Sequence, residues 1–495
     1  MDVIARFLEQ AALCPDHLAI ANSARSYTYG ELEVRVRAFA AAFRHRTEPR
    51  VLIALPQVPE AYAAILGAGL AGGCYTPLNL AAPPEKLRRI ARLLDPDVIV
   101  AAPDLARILK DEAPSAILLD PADLDTSRRL DGHGDRHRLA YILFTSGSTG
   151  TPKGVMVPRT ALDHYVDWLE AFAVGPDDRV SQHPNLAFDI SATDFYGALC
   201  FGASLHPLLD EGDRLMPARM IARERITVWN SVPSVVGLML QARQVTAKNL
   251  STVRLFNFCG EPLLPEHLRA IFAACPDVLV QNTYGPTEAT ISMTALPLKQ
   301  NDYEAFCADA SVALGTPIPG MEIELTGGRH SEEGEIVILG PQLAEGYWKD
   351  PEKTALAFRA VDRGGNTVIG YHTGDWAERR DGQVFFKERI DFQVKVRGYR
   401  VELDEVAAAI RTCGWPVVCV VKRGEALAAL VERMPDQDFR EPELRAMLAT
   451  KLEPHAVPEM IVEVDSMPRN ENDKLDRRAA AALLEDLGSG AGLNG

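Results

Sequence analysis

An apolar run from Leu139 to Phe144 empties into ten residues, Thr145 to Gly154, built only from Thr, Ser, Gly, Pro and a single Lys. The run reads as a buried strand. The three glycines let a backbone turn tightly and bring its N–H groups close to a ligand. Hydroxyls and one ammonium add further donors. Behind the loop, Leu162, Tyr165, Val166 and Leu169 fall at i, i+3, i+4 and i+7, the spacing of an amphipathic helix. The stretch therefore predicts an anion cradle between a strand and a helix, suited to a polyphosphate. Read without its neighbours, the same composition fits a flexible Ser/Gly linker. A buried strand leading straight into it favours the cradle. The Lys is not flanked as Gly-Lys-Ser/Thr, so a P-loop NTPase is disfavoured.

The rest of the chain limits the classes this loop can serve. At 495 residues it is too long for one core. A net charge of −16 argues against nucleic-acid and anionic-membrane partners. Eight cysteines, at 14, 74, 200, 259, 275, 307, 413 and 419, form no C-x-x-C pair. They suggest neither a zinc site nor a disulfide framework, but a reducing compartment. No 18-residue apolar run or signal-like start is seen, so membrane insertion is not expected and a cytoplasmic location is.

Over the first 130 residues, helical patterns alternate with short apolar runs such as Val51–Leu55 and Asp97–Ala101. That alternation predicts an α/β fold: a large, layered N-terminal region with parallel sheets. Near residue 390 the pattern changes, and Val394 and Val396 alternate with charged neighbours as a new strand begins. The expected division is 1–390 and 391–495, the second a small, mobile α+β domain.

Further motifs follow. Asn185 to Tyr196 places Asp189 after an apolar run and before a helix, where a helix N-cap is its commonest job. Asn282-Thr283-Tyr284-Gly285-Pro286-Thr287-Glu288 ends a strand with an aromatic, a Gly-Pro turn and a Thr-Glu pair. A capping box accounts for Thr-Glu but not for the Tyr-Gly-Pro prefix. Tyr371-His372-Thr373-Gly374-Asp375 reads as a carboxylate at a turn. Lys387 to Arg400 and Met467 to Arg477 complete the set.

Together these stretches resemble the adenylate-forming superfamily: non-ribosomal peptide adenylation domains, acyl-CoA ligases and luciferases. The resemblance is strongest to stand-alone ligases that load D-alanine onto a carrier protein. It implies that Thr145, Ser146, Gly147, Ser148, Thr149, Gly150 and Lys153 form the phosphate loop. It further implies that Asn282, Thr283, Tyr284, Gly285 and Thr287 hold ATP, Tyr284 stacking on adenine. Glu288 then holds Mg²⁺, which ordinarily takes one or two protein carboxylates plus phosphate oxygens. Asp375 takes the ribose hydroxyls, Arg389 contacts the nucleotide, and Asp391 is the hinge. Lys474 bridges carboxylate and phosphate oxygens; with Thr145 and Lys153 it is the expected catalytic set. Two positions depart from the family pattern: Glu388 and Asp473 stand where Gly is usual.

For the substrate, the resemblance pairs Asp189 with an α-ammonium, which distinguishes amino-acid activation from activation of simple carboxylates. Phe188, Thr193, Asn230, Asn257, Cys259, Gly260, Thr283, Ile291 and Ser292 then line the side-chain pocket. Thr193, Asn230 and Asn257 are more polar than a methyl group needs, and buried amides want partners. The expected substrate is a small amino acid, D-alanine-like or small and polar. The expected reaction forms aminoacyl-AMP with release of pyrophosphate, then passes the acyl group to a phosphopantetheine thiol. No carrier motif follows Lys474, so the carrier protein is expected to act in trans. A carboxylic acid–CoA ligase of the same superfamily is the alternative.

Overall fold

The computed structural model describes residues 1–22, 25–130, 132, 138–145, 152–308, 311–328, 330, 332–390, 393–434, 438–469, 475 and 477–490. They fall into two compact units. The first comprises Met1–Asn79, Ala91–Phe144 and Gly154–Ile390; the second comprises the described residues of Leu80–Ile90, Thr145–Lys153 and Asp391–Gly495.

Two largely parallel sheets organise the first unit. In the larger, six strands run parallel in the order Leu279–Tyr284, Leu255–Phe258, Val228–Ser231, Arg179–Gln182, Ser204–Pro207, Leu18–Ala21. Antiparallel strands close both edges. The second sheet holds Ile117–Leu119, Val98–Ala101, Arg50–Ala54, Cys74–Pro77, Leu139–Thr145 and Lys153–Pro158 in that order. Parallel strands covered on both faces should be apolar throughout. Val51 to Ala54 and Val98 to Ala101 obey this, each 2% exposed or less.

From Tyr27 to Leu32 the chain passes from a short strand into a helix. Thr28 Oγ1 accepts from the Glu31 backbone N–H at 3.2 Å, and Glu31 Oε2 accepts from the Thr28 N–H at 2.9 Å. This reciprocal capping box starts the Tyr29–Phe43 helix.

A five-stranded antiparallel sheet completes the unit, with Asn366–Arg380 at its centre. Here the turn expected at Asp375 is absent, because Asp375 lies inside that long strand. The register shifts opposite it: Glu335 pairs with Trp376 and Val337 with His372. Residues 373–375 therefore bulge against Ile336 alone. Gly374, at φ +73°, supplies the left-handed backbone the bulge needs.

A second difference concerns the phosphate loop. Instead of passing directly into a helix, the chain first forms the strand Lys153–Pro158; the Arg159–Trp168 helix follows. Alternation decides this: Val155 and Val157 are fully buried and Met156 between them is not.

The second unit contains a Gln393–Val396/Tyr399–Glu402 hairpin and a three-stranded sheet of Val418–Arg423, Ala426–Glu432 and Met460–Val464. The helix Leu403–Thr412 covers one face with Val406, Ala407 and Ile410, while Ala480 and Leu484 of Arg477–Gly490 join a separate apolar cluster.

Candidate active site

The parallel strands of the larger sheet carry the first group of expected site residues at their C-terminal ends, where open α/β sheets bind ligands. Asn230 pairs in register with Asn257, and Asn257 with Gln281. Two residues on from the Val180–Val228 pair stand Gln182 and Asn230. A row of four buried amides thus crosses one face of the sheet. Each is 6% exposed or less. The apolar row before it, Val180, Val228, Leu255 and Leu279, packs into the main core. One row further, Cys259 and Thr283 continue the same face.

Above this face runs the Ile190–Leu199 helix, buried along its whole length. Asp189 stands at its N-cap position, yet its side chain makes no capping hydrogen bond. The commonest job for an Asp here is therefore not the one it performs. Its charge reaches the buried phenols of Tyr75, Tyr141 and Tyr165, which burial first and Asp189 in lesser part push up.

Thr193, one turn into the helix, meets Tyr165 Oη at 2.8 Å, and Ser292 Oγ donates to the same oxygen at 3.4 Å. All three are buried. Tyr165 thus joins two expected pocket residues. The sequence marked it only as part of a helical stripe, because an aromatic at core spacing has no separate signature.

Thr283 and Asn282 are anchored differently: Thr283 Oγ1 donates to Phe258 O at 2.9 Å, and Asn282 Nδ2 to Ala313 O at 2.8 Å. Both donors are committed to backbone. Gly285 admits no side chain, since a Cβ there would lie 2.5 Å from Ser292 Cα. Thr287 is half-buried in a single 3-10 turn, Thr287–Ala289, which has no side-chain cap. The capping-box account of Thr-Glu is thereby removed.

Thr290 and Ile291 have φ of +56° and +73°. For a β-branched residue this is a true outlier, with a cost of about 1–3 kcal/mol each. Gln342, fully buried, holds the distorted segment. Its Nε2 lies 3.2, 3.3 and 2.9 Å from the carbonyls of Ala289, Thr290 and Ser292, and His164 Nδ1 lies 2.9 Å from its Oε1. Sequence reasoning missed Gln342, which lies in a loop with no recognisable spacing. Cys259 sits beside this turn, its buried thiol 3.7 Å from Ile291 O. Gly260, at φ +98°, follows it.

Glu288 is fully buried, and its Oε1 accepts from the Tyr347 phenol at 2.8 Å. A buried carboxylate is a hard oxygen donor of the type Mg²⁺ prefers, so the residues present fit that ion as a single protein ligand. No cluster of three or more His, Cys, Asp or Glu suited to a metal occurs among the described residues.

The third group gathers on the antiparallel sheet. Asp375 Oδ2 accepts from Tyr284 Oη and its Oδ1 from Arg389 Nη1, both at 2.6 Å. Arg389 Nη2 also reaches Thr373 O at 3.0 Å. Tyr284 is half-buried, and burial first, then the Asp375 charge, holds its hydroxyl well above the ordinary phenol range. His372 bonds Glu335 at 3.1 Å and serves the bulge.

Thr145 ends its strand with a buried hydroxyl that has no partner among the described residues, and the Lys153 ammonium lies 3.7 Å from Glu402 Oε1. Ser146, Gly147, Ser148, Thr149, Gly150, Asp391, Asp473 and Lys474 lie outside the described residues. Phe188 is half-buried beside Asp189.

In sheet order and helix placement the chain is an α/β adenylation-domain fold with a small C-terminal part. The solved Vibrio cholerae adenylation domain AlmE, in complex with glycyl-adenosine-5'-phosphate, superposes with a TM-score of 0.83 at 27% identity, over 98% of each chain. The chain belongs to the AMP-binding enzyme family, which matches residues 7–348. It is similar to the D-alanine--D-alanyl carrier protein ligase of Staphylococcus epidermidis, 28% identical over 489 residues, 95% of this chain and 96% of that one. It is also 31% identical over 493 residues to Tyrocidine synthase 3 of Brevibacillus parabrevis, 95% of this chain but 7% of that protein. No helix among the described residues is long and apolar enough to cross a membrane.

Proposed function

We propose that this enzyme activates a small amino acid with ATP and transfers it to the phosphopantetheine thiol of a carrier protein. In the first step the substrate carboxylate oxygen bonds the α-phosphorus, the bond to the bridging oxygen breaks, and pyrophosphate leaves. In the second the carrier thiol attacks the carbonyl carbon, the thiol proton passes to solvent, and AMP leaves. The family match supports the nucleotide chemistry. D-alanine--D-alanyl carrier protein ligases among the relatives support both the amino acid and the carrier.

The observation that carries the amino-acid reading is Asp189. It heads a buried helix without capping it, beside a pocket of hydroxyls and amides. A substrate ammonium entering such a pocket unpaired would cost several kcal/mol, and the carboxylate removes that cost.

The remaining residues position charge. Asp375 receives the ribose hydroxyls while Tyr284 and Arg389 hold it in one orientation, and Tyr284 offers its ring to adenine. Bringing two anions together requires neutralisation at the α-phosphoryl group and the leaving pyrophosphate. Lys474 and the Thr145–Lys153 loop supply it, and Glu288 would hold the Mg²⁺ that adds positive charge there. No covalent enzyme group is needed; positioning and electrostatics suffice.

Amino-acid-dependent ATP–pyrophosphate exchange tests the proposal directly. Exchange with D-alanine or another small amino acid is expected. Silence with every amino acid, alongside exchange on simple carboxylates, would place the enzyme among acid–CoA ligases and defeat the role given to Asp189.

A further inference from the structure

The segment 183–189, between the strand Arg179–Gln182 and the helix Ile190–Leu199, delivers Asp189. Asp189 gives its own helix no capping bond, so nothing local to the helix end anchors the turn through that side chain. The anchoring lies at the other end. Gln57 Nε2 donates to Gln182 O and to Pro184 O, both at 3.1 Å, and Arg214 Nη1 donates to His183 O at 3.1 Å. Arg214 Nη2 donates to Gln57 Oε1 and also to Leu208 O, the latter at 3.1 Å. Three consecutive carbonyls of one segment are thus held by two side chains that also hold each other.

Side-chain amides can often be turned over without penalty. Gln57, 4% exposed, cannot: two carbonyls at one end need N–H groups, and a guanidinium at the other needs an oxygen. Gln57 follows the strand Arg50–Ala54, and Arg214 lies in the short helix Glu211–Leu215 after the strand Ser204–Pro207. The clamp therefore joins C-terminal strand ends of both parallel sheets, where open α/β sheets bind ligands. The His183 ring lies 5.6 Å from that of Trp229, and burial first, then the Arg214 charge, lowers its pKa to about 3, so the ring is neutral beside the guanidinium. Beyond Pro184 the segment is closed on itself. Asn185 Oδ1 accepts from Ala187 N–H at 2.9 Å and Asn185 O from Phe188 N–H at 3.0 Å. Phe188 O and Asp189 O accept from the N–H groups of Ser191 and Ala192, at 3.0 and 2.8 Å. A shift at Pro184 is passed through this turn to Asp189.

We propose that Arg214 and Gln57 are positioning residues for amino-acid binding: together they clamp the start of this segment and so fix where the Asp189 carboxylate meets the substrate ammonium. A planar guanidinium spans its three acceptors with a fixed fork, which the point charge of a lysine does not reproduce. The proposal rests on the reading that Asp189 pairs with an amino-acid substrate.

The test is ATP–pyrophosphate exchange with D-alanine, L-alanine, glycine and serine, followed by KM for the best of these and for ATP. Arg214→Met should raise the amino-acid KM by ~10-fold or more and leave the ATP KM within ~2-fold, since displacing one positioned group by an ångström costs up to about 10²-fold. Arg214→Lys, which keeps the charge, should recover little of the loss. Gln57→Met should give the same selective rise, and carries the test should Arg214→Met fail to fold. In an Asp189→Asn background Arg214→Met should add ~2-fold or less, because members of one network do not act additively. General damage to the fold predicts the reverse, with both KM values rising together and the two losses adding. An unchanged amino-acid KM in a folded variant, an equal rise in both KM values, or additive losses overturn the clamp and leave amino-acid activation standing. An unchanged amino-acid KM in Asp189→Asn overturns the role of Asp189 and the clamp with it. Silence with all four amino acids, alongside exchange on simple carboxylates, overturns amino-acid activation itself.

Discussion

Asp375 and Arg389 face each other across adjacent antiparallel strands, and the guanidinium donates to the carboxylate at 2.6 Å. Tyr284 binds the other carboxylate oxygen at the same distance, so the group is held from both sides before any nucleotide arrives. Preorganisation of this kind lowers the ordering cost of binding.

Removing the guanidinium in Arg389→Met should therefore weaken nucleotide binding more than it slows the bound enzyme. A hydrogen bond to a charged group contributes roughly 1.5–3 kcal/mol, or about 10–100-fold in KM for ATP. Steady-state kinetics with varied ATP measure it. An unchanged ATP KM would show that Arg389 serves the strand pairing alone.

Asp189→Ala should raise the KM for the amino acid by ~10²-fold or more, the scale of leaving one member of a desolvated ion pair alone. The ATP KM should move little. Exchange assays with varied amino acid separate the two effects, and equal losses for both substrates would mean that the helix had shifted instead.

Lys474→Ala should lower adenylate formation by about 10²–10³, the cost of losing one transition-state donor. Transfer of a pre-formed acyl adenylate to the carrier thiol should survive. Single-turnover rates of the two half-reactions decide this; near-normal adenylation would refute the role.

Gln342→Leu should destabilise the first unit by about 2–4 kcal/mol, since it strips up to three carbonyls of a donor beside a strained backbone. A lower urea midpoint for that unit's unfolding, with a raised amino-acid KM, is the expected signature. Normal stability would mean that Thr290 and Ile291 hold their conformations without the clamp.

His206 is buried against Arg179, and burial first, then that charge, depresses its pKa to about 3 from an ordinary 6.5. The unfolded chain binds the proton more readily, so this histidine's contribution is complete above about pH 6.5 and declines as pH falls toward 3. Urea unfolding should show roughly 2 kcal/mol less stability at pH 5 than at pH 7 from this group, at 1.36 kcal/mol per pH unit. His206→Gln should flatten that dependence. An identical pH slope in the variant would assign the loss to other groups.

Contiguous chemistry was legible before any coordinates. The buried strand before the phosphate loop and the strand that ends at Tyr284 follow from spacing and residue type. Encounters across long separations were not legible. Tyr284 and Asp375 are 91 residues apart, and Ser292 and Tyr165 are 127 apart. The bulge at Asp375 read as a turn because Gly374 has the same backbone requirement in both.

By itself the sequence determined which strands are buried, where the chain turns, and which residue types stand at the ends of those strands, because period, capping and turn chemistry act within a few residues. Only the tertiary structure decided that Gln182, Asn230, Asn257 and Gln281 stand in one buried row across the sheet and that Gln342 holds a strained turn. Those relationships depend on sheet order and register, which a core spanning hundreds of residues selects through summed burial that no local segment carries.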